Sequence, residues 1–566
     1  MIDFIDHIIE RIGEEFPELQ TTITPDFFEN PKNPDFGDSA LPCFRFTKIF
    51  KKQPAVIADY LKDIFCHDDY FESISNVSGY LNFKYNRKMY AKLLCAKFIS
   101  RQIFSKLVST GKGKTVVIDY SHPNVAKNMG IHNLRSTIIG QSLYNIYSFL
   151  GYRTVGINHL GDWGTQFGKL IRAIELWSSQ TELEEKGILH LNDLYVRFHS
   201  EAENDHSLEY DARERFAGLE KNDPEAVKWW KLFIDVSMKA YNDIYKRLNV
   251  RFDFVTGESF YIQFLDDTIK RLSEKGLCEI SEGALVVKFD EKENMPPCLL
   301  KKSDGATLYA TRDIAALLYR LEEFDPHKII YVTDVAQELH FRQVFRVIEK
   351  YDHSTSGKFE HVRFGRLSFG DIQMSTRKGN IVPLEKVLDR AKQKVLEIID
   401  KREIDIPDRE KTADRIGIGA VIFNDLSVSR IKNIVFDWEK TLSFEGETGP
   451  HVQYSYVRMK NILKNTGSVE TDIDYSLLTD DYSFELLKLI KQFEDKTILA
   501  HKENEPSVIA NYLLDLSKAF NRFYQHNRVV GEPARVMKAR SLLLAILTDI
   551  YAICMDMLNI PKITRM

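Results

Sequence analysis

KTVVIDYSHPNVAKNMGIHNLRSTIIG, residues 114–140, decides the fold. Its apolar opening, KTVVIDY, reads as a buried strand, and the polar run after it as a tight loop. The stretch beyond carries Ile139, Leu143, Ile146 and Leu150 at three- and four-residue steps, which predicts a helix with one apolar face. TVGINHL (154–160) then reads as a second strand. Strand, helix and strand in this order form a βαβ unit, which requires the two strands to be parallel. KIIYVTD (328–334), again followed by a helical pattern, adds a third strand. The middle of the chain is therefore expected to be a doubly wound parallel sheet. The charged, aromatic-rich segment from about 176 to 300 is expected to be an insertion between its halves.

In such a sheet, ligands bind outside the carboxyl ends of the strands. A helix N-terminus there offers free N–H groups and the positive end of a dipole to an anion. Lys127, His132, Asn133 and Arg135 add possible phosphate donors to the first loop. GDWGTQFGKL (161–170), after the second strand, and the Ser/Thr/Arg/Lys/Gly segment DIQMSTRKGN (371–380) are further candidates for nucleotide contact.

The rest of the chain brackets this centre. At 566 residues it is too long for one core, so three or four domains are expected. Residues 1–110 mix short helical and strand patterns, an α+β domain ending at the linker GKGK (111–114). The parallel-sheet domain is read as 111–384, and 385–566 as all helical, with strands absent. Within that last part, SLLLAILTDIYAICMDML (541–558) is apolar, but Asp549 and Asp556 interrupt it, so it is expected to be a buried bundle helix, not a membrane span. The formal net charge of -5 excludes a uniformly basic nucleic-acid binder but permits a basic face. Six scattered cysteines match neither a zinc spacing nor a disulfide framework. They read as reduced thiols, mostly buried, of a cytoplasmic protein.

Six collinear segments resemble the arginyl-tRNA synthetases, a class I aminoacyl-tRNA synthetase family. They are NVAKNMGIHNLRSTIIG, INHLGDWGTQFGKL, LYATRDIAA, YVTDVAQELHFRQVF, MSTRKGN and SFEGETGPHVQYSYVRMKNIL. PKNPDFGDSA (31–40) is similar to that family's extra tRNA-contacting N-terminal domain, and the ending LNIPKITRM to its anticodon-binding C-terminus. The resemblance implies a Rossmann-type catalytic domain between an α+β and an all-α domain. It implies ATP-dependent activation of arginine, transfer to the 3′ end of tRNA(Arg), and a need for tRNA in the first step. ATP, arginine and tRNA are the implied partners, with Mg2+ accompanying pyrophosphate, no protein-held metal cluster, no membrane, and a monomer.

Matching positions carry roles across by resemblance. Asp119, Asn124, His159, Glu258, Tyr309, Asp313 and Gln337 correspond to the arginine site. Such a set suits a guanidinium, a fixed fork of donors that acids and planar acceptors satisfy and that lysine leaves unpaired. Gly130, Arg135, Gly161 and Asp162, with Met374, Ser375, Thr376 and Arg377, correspond to the ATP site, and Lys127, His132 and Asn133 to the activating groups. Among the candidate anticodon-loop contacts, Tyr456, Phe523 and Tyr524 offer stacking and Arg458 a phosphate contact.

The chain departs from the family in its first motif. Where the pattern is His, any residue, Gly, His, it reads Gly130, Ile131, His132, Asn133. Gln373 and Thr376 stand at the lysine positions of the second motif, and Lys127 is placed to supply the charge that Thr376 lacks. Gly130 is expected to turn through backbone angles closed to other residues, letting His132 swing toward the phosphates. The leading reading is a working synthetase. A divergent paralogue with weak or redirected amino-acid activation, and a non-catalytic tRNA-binding protein, are the alternatives.

Overall fold

Five parallel strands form the central sheet of the computed structural model: β1 (Thr115–Asp119), β2 (Arg153–Asn158), β3 (Phe254–Val255), β4 (Lys328–Tyr331) and β5 (Phe359–His361). The structure describes residues 4–565 except 21, 32, 369–381, 402–405, 407 and 467–471. The strand order is β5-β4-β1-β2-β3. The chain lays down β1, β2 and β3 in one direction, then returns to place β4 on the free side of β1. The strand order thus reverses between β1 and β4, which opens a crevice at their carboxyl ends. Val116, Val117 and Ile118 of β1 and Ile329 and Ile330 of β4 are fully buried, as continuous apolar runs covered on both faces must be.

Helix α1 (Ile131–Phe149) follows β1. Ile139, Leu143, Ile146 and Leu150 are buried as expected, but so are Ser136, Thr137, Gln141 and Ser142. The helix is enclosed rather than half exposed. Ser136 Oγ donates to the Val332 carbonyl (2.6 Å) and Thr137 Oγ1 to the Asn133 carbonyl (2.7 Å), which makes their burial tolerable.

The 176–300 segment is not one block. Helices Gln180–Ala202, Ser207–Glu220 and α2 (Pro224–Leu248) come first, the chain then returns to the main sheet at β3, and a small antiparallel sheet follows (Cys278–Ser281, Ala284–Val287, Cys298–Lys301). Two exposed residues make up β3, too few to show a periodicity. Helix α2 begins with Asp223 Oδ1 accepting from Ala226 N and with Pro224 in the first turn, and ends at Asn249 in the left-handed region (φ 55°). Helices α3 (Tyr309–Phe324) and α4 (Glu338–Tyr351) flank β4 in sequence.

After residue 385 helices dominate, including α5 (Arg409–Leu426). One short strand, Ile434–Val435, pairs in parallel with Leu367–Ser368, which the all-helical reading did not contain. The chain divides into two compact units that do not follow chain order. One comprises residues 107–457, 495–514 and 552–566 and holds the central sheet. Asn559 Nδ2 donates to the Leu248 carbonyl within it (2.8 Å), and Gln453 Nε2 to the Pro561 carbonyl (2.8 Å).

The other comprises residues 1–106, 458–494 and 515–551. Its antiparallel sheet has Tyr80–Tyr85 between Ser39–Pro42 and Phe71–Val77. Arg87 donates to Asp481 (2.7 Å), and the Tyr90 and Phe484 rings meet edge to face at 5.2 Å, so distant parts of the chain share one core. Of the 541–558 run, Leu543, Leu547 and Ile550 are buried while Asp549 and Asp556 are exposed. No helix among the described residues is long and apolar enough to cross a membrane. All six cysteines are free, and Cys43, Cys95, Cys298 and Cys554 are buried.

Candidate active site

A cavity of roughly 530 Å³ opens where the strand order reverses. Its lining comes from six places: the end of β1 (Asp119, His122, Asn124), the first turns of α1 (His132, Asn133, Ser136), the end of β2 (His159, Gly161), Glu258, the elements around β4 (Tyr309, Asp313, Thr333, Gln337, His340), and Phe364 beyond β5. Ten positions singled out in the sequence therefore line one space: Asp119, Asn124, His132, Asn133, His159, Gly161, Glu258, Tyr309, Asp313 and Gln337. They are spread over more than 200 residues of chain.

The first loop is held in an unusual path. Ser121, His122 and Ala126 all have positive φ (82°, 51° and 65°), which side-chain-bearing residues adopt only under constraint. The constraint comes largely from α2. Tyr241 Oη donates to the carbonyls of Asn124 (2.7 Å) and Lys127 (2.6 Å), and Tyr245 Oη bonds Ser121 Oγ (2.8 Å). Gly161 lets the Asn124 side chain lie against it, because a Cβ there would stand 2.2 Å from Asn124 Oδ1 and force that side chain to move.

Asp119 ends β1 with 1% of its surface exposed. Its Oδ2 meets Arg320 Nη1 at 2.6 Å and its Oδ1 meets His122 Nε2 at 2.6 Å. Burial acts to raise its carboxyl, but Arg320 and then His122 outweigh it and hold Asp119 well below the usual carboxylate range. Arg320 Nη1 also donates to Tyr331 Oη (2.7 Å). Its Nη2 lies 3.3 Å from His159 Nδ1. Burial lowers the His159 pKa to about 4, so the ring is neutral near pH 7. With Nδ1 accepting from the guanidinium, the ring proton belongs on Nε2.

The other two acids are also paired within the chain. Glu258 Oε2 accepts from Arg312 Nη1 (2.7 Å), and Asp313 Oδ2 meets His340 Nε2 (2.6 Å). Burial, aided by Asp313 and Asp162 and opposed by Arg312, pushes the Glu258 carboxyl up to about 7. Tyr309 and Asp313 lie one turn apart on α3, with Tyr309 65% exposed at the rim. Gln337 precedes the first residue of α4.

The nucleotide-facing expectations fare unevenly. Gly130 sits at φ −91°, ψ 168°, extended backbone open to any residue, so the special freedom expected of it is not used. Asn133 turns back on the loop, its Oδ1 accepting from Gly130 N (3.1 Å). His132 is exposed on one side, yet the packing around its ring and the nearby Lys127 lower its pKa. Lys127 does not line the cavity; its Nζ lies 5.1 Å from the centre of the Tyr195 ring.

Arg135 and Asp162 require correction. Both point into the protein rather than toward a nucleotide. Arg135 is 1% exposed and bonded to Asp425 and to the carbonyls of Gly365 and Lys432. Asp162 accepts from Ser259 N (2.8 Å) and Ser259 Oγ (2.6 Å). Each adjoins a cavity residue in sequence, Ser136 and Gly161 respectively, but its own side chain is buried. Met374, Ser375, Thr376 and Arg377 lie outside the described residues.

Among the expected RNA contacts, Phe523 is fully buried and belongs to the core. The Arg458 guanidinium stacks 4.3 Å from the Tyr524 ring centre, and both residues are half-buried, as is Tyr456. Sequence reading missed His122, Arg312, Arg320, Tyr331 and His340. His122 borders the strand end and was within reach of the argument. Arg320 carries no local signal, since nothing in a helix pattern shows that one arginine points into the core.

Three family descriptions match the chain: "tRNA synthetases class I (R), catalytic domain" over residues 99–438, "DALR anticodon binding domain" over 452–566, and "Arginyl tRNA synthetase N terminal domain" over 3–85. The arginine–tRNA ligase of Halothermothrix orenii is 42% identical over 567 residues, covering 100% of both chains. That of Alkaliphilus metalliredigens is also 42% identical with full coverage of both. The crystal structure of arginyl-tRNA synthetase from Plasmodium falciparum superposes with a TM-score of 0.77 at 26% identity, over 99% of this chain and 98% of that one. Thermus thermophilus arginyl-tRNA synthetase shares the fold, with a TM-score of 0.80 at 22% identity and full coverage of both chains. A crevice at the strand-order reversal, walled by three acids and the first turns of a helix, thus lies in a chain that matches these relatives from end to end, and the chain belongs to the arginyl-tRNA synthetase family.

Proposed function

We propose that the protein joins arginine to tRNA(Arg) in two steps. The arginine carboxylate attacks the α-phosphate of ATP, forming arginyl-adenylate and releasing pyrophosphate. A terminal hydroxyl of the tRNA then attacks the adenylate carbonyl, and AMP leaves. Neither step needs a covalent nucleophile from the protein. Catalysis lies in holding the reactants and stabilising charge as it builds on phosphate.

The observation that carries this reading is the convergence of Asp313, Glu258, Asn124 and Gln337 with the first turns of α1 in one cavity. Asp313 and Glu258 take the substrate guanidinium, displacing or sharing the pairs they make with His340 and Arg312. Asp119 is neutralised by Arg320 and orders that wall of the cavity. His159 presents a neutral N–H donor to the substrate's carboxylate end. His132, at the start of α1, donates to the phosphates at the positive end of the helix dipole. Lys127 adds positive charge nearby.

Mg2+ with the triphosphate is implied by the reaction. The described residues contain no group of three or more His, Cys, Asp or Glu able to hold an ion. They therefore offer no protein cage for it, and no step here runs through it. The enzyme works as a monomer, as the family resemblance implies, and its place is the cytoplasm with its tRNA. The segment 385–566 would read the anticodon.

Arginine-dependent exchange between ATP and pyrophosphate, with and without tRNA(Arg), tests the proposal. Exchange is expected only with arginine and tRNA together, and its absence under all conditions overturns the reading.

A further inference from the structure

Arg135 lies three residues after His132 on α1, yet its guanidinium serves the protein interior. It reaches three separate chain segments at once. Nε lies 3.0 Å from Asp425 Oδ2 on α5, and Nη1 donates to the carbonyls of Gly365 (2.6 Å) and Lys432 (2.8 Å). The adjoining Phe364 ring is centred 5.8 Å from the guanidinium carbon.

The segments it gathers are also bonded to one another. Gly365 N donates to the Arg430 carbonyl (2.9 Å), Arg366 N to Asn433 Oδ1 (2.8 Å), and Ile434 N to the Arg366 carbonyl (2.8 Å). Gly365 approaches so closely that an added Cβ would stand 2.7 Å from the Lys432 carbonyl. Phe364 in turn lines the cavity together with His132, Asn133 and Ser136, and its N donates to the carbonyl of the lining residue Thr333 (3.2 Å). Arg135 thus ties the helix bearing the phosphate-facing turn to the backbone beside Phe364.

Stability alone does not account for an arginine here. Nη2 is buried with no hydrogen-bond partner among the described residues, a cost that apolar side chains of the same volume avoid. A planar fork, however, fixes a carboxylate and two carbonyls in one geometry, which neither lysine nor methionine reproduces.

We infer that Arg135 is a positioning residue for ATP: it clamps the first turns of α1 to the 364–366 turn and so sets the spacing of the phosphate-facing part of the cavity. The inference rests on the proposed activity for its choice of ligand. Arginine binding is set by Asp313, Glu258 and Asn124, none of which the clamp touches.

The test compares four proteins: natural, Arg135→Lys, the apolar pair Arg135→Met with Asp425→Leu, and Asn433→Ala, whose exposed side chain holds the same turn from outside. Calorimetry with tRNA present gives the affinity for α,β-methylene ATP, which cannot react, and separately for arginine. Arg135→Lys should bind the analogue at least about tenfold more weakly and exchange about 100-fold more slowly, the scale for a small misplacement of reacting groups. Arginine affinity should stay within about twofold, because its contacts are separate. The apolar pair should recover the thermal midpoint but not the analogue affinity, and Asn433→Ala should show a smaller loss of the same kind. If analogue affinity returns together with stability in the apolar pair, or if arginine and analogue affinities fall in parallel, Arg135 is only structural. A natural protein that binds no analogue also overturns the inference. Failure of the proposed activity reads differently: no exchange in the natural protein, with the analogue still bound and the clamp still measurable.

Discussion

Arg320 and Asp119 form an ion pair of 2.6 Å at the floor of the cavity, with 0% and 1% of their surfaces exposed. The acid at the end of β1 is therefore already occupied by a guanidinium belonging to the chain itself. Its negative charge organises Arg320, His122, Tyr331 and His159, which leaves Asp313 and Glu258 as the acids proposed to meet the substrate.

Arg320→Met should be strongly destabilising, by about 3–5 kcal/mol, because it strands a buried carboxylate. Changing Asp119→Asn in the same chain should recover part of that loss. Denaturant unfolding of the single and double variants gives both values. Equal stability of Arg320→Met and the natural protein would show that the pair is hydrated rather than sealed.

Arginine should be preferred to citrulline, whose neutral ureido group gives Asp313 and Glu258 no charge to face. Asp313→Asn should weaken arginine use by about 1.5–3 kcal/mol in kcat/KM, the worth of a hydrogen bond to a charged group. Comparable exchange rates with citrulline and arginine would remove the acids from recognition.

Glu258 gives arginine binding a pH dependence. Its carboxyl is raised to about 7 in the folded protein, from an ordinary value of about 4.3. The folded state therefore holds a proton that the unfolded state has released between those values. The stability this contributes is present at low pH and is lost as pH rises through that window. Arginine needs the ionised form, so its affinity should increase from pH 6 to pH 8, with a midpoint near 7. Titration calorimetry across that range should find the dependence in the natural protein and not in Glu258→Gln.

His132→Ala should slow exchange by about 100-fold or more, as loss of a donor to developing charge does. Since Gly130 occupies ordinary extended backbone, its backbone angles admit the change Gly130→His. Combined with His132→Gly and Asn133→His, it rebuilds the more usual motif but removes the bond from Gly130 N to Asn133 Oδ1. A rebuilt loop faster than the natural one, with His132→Ala unharmed, would mark His132 as an obstruction.

Phe523 and Arg458 should separate packing from RNA contact. Phe523→Ala opens a cavity in a fully buried position and should cost about 3–5 kcal/mol of stability. Arg458→Ala, at a half-buried stacked site, should leave stability nearly unchanged but weaken tRNA(Arg) and reduce the dependence of binding on salt. Filter binding over a salt series measures this. An unchanged salt slope would take Arg458 off the RNA.

Much of this protein is written in local sequence. The Val/Ile runs of β1 and β4 can only be covered strands, and the glycine at 161 reflects a loop pressed against Asn124. Because periodicity and turn chemistry act between near neighbours, they gave the parallel sheet and its ligand-binding edge, while most of the ten singled-out residues that line it came from the family resemblance. What they could not give was direction and pairing at a distance. Arg135 and Asp162 sit beside cavity residues in sequence but turn inward, toward Asp425 and Ser259. Arg320 lies on an ordinary helix, yet it neutralises Asp119 from 201 positions away. Residues 1–106 share a core with helices that begin after 457, because Tyr90 and Phe484 bury their rings together. Burial of a charge is tolerated only where a partner arrives from elsewhere in the chain, so which acid is neutralised inside and which stays open to the cavity was decided by tertiary packing alone.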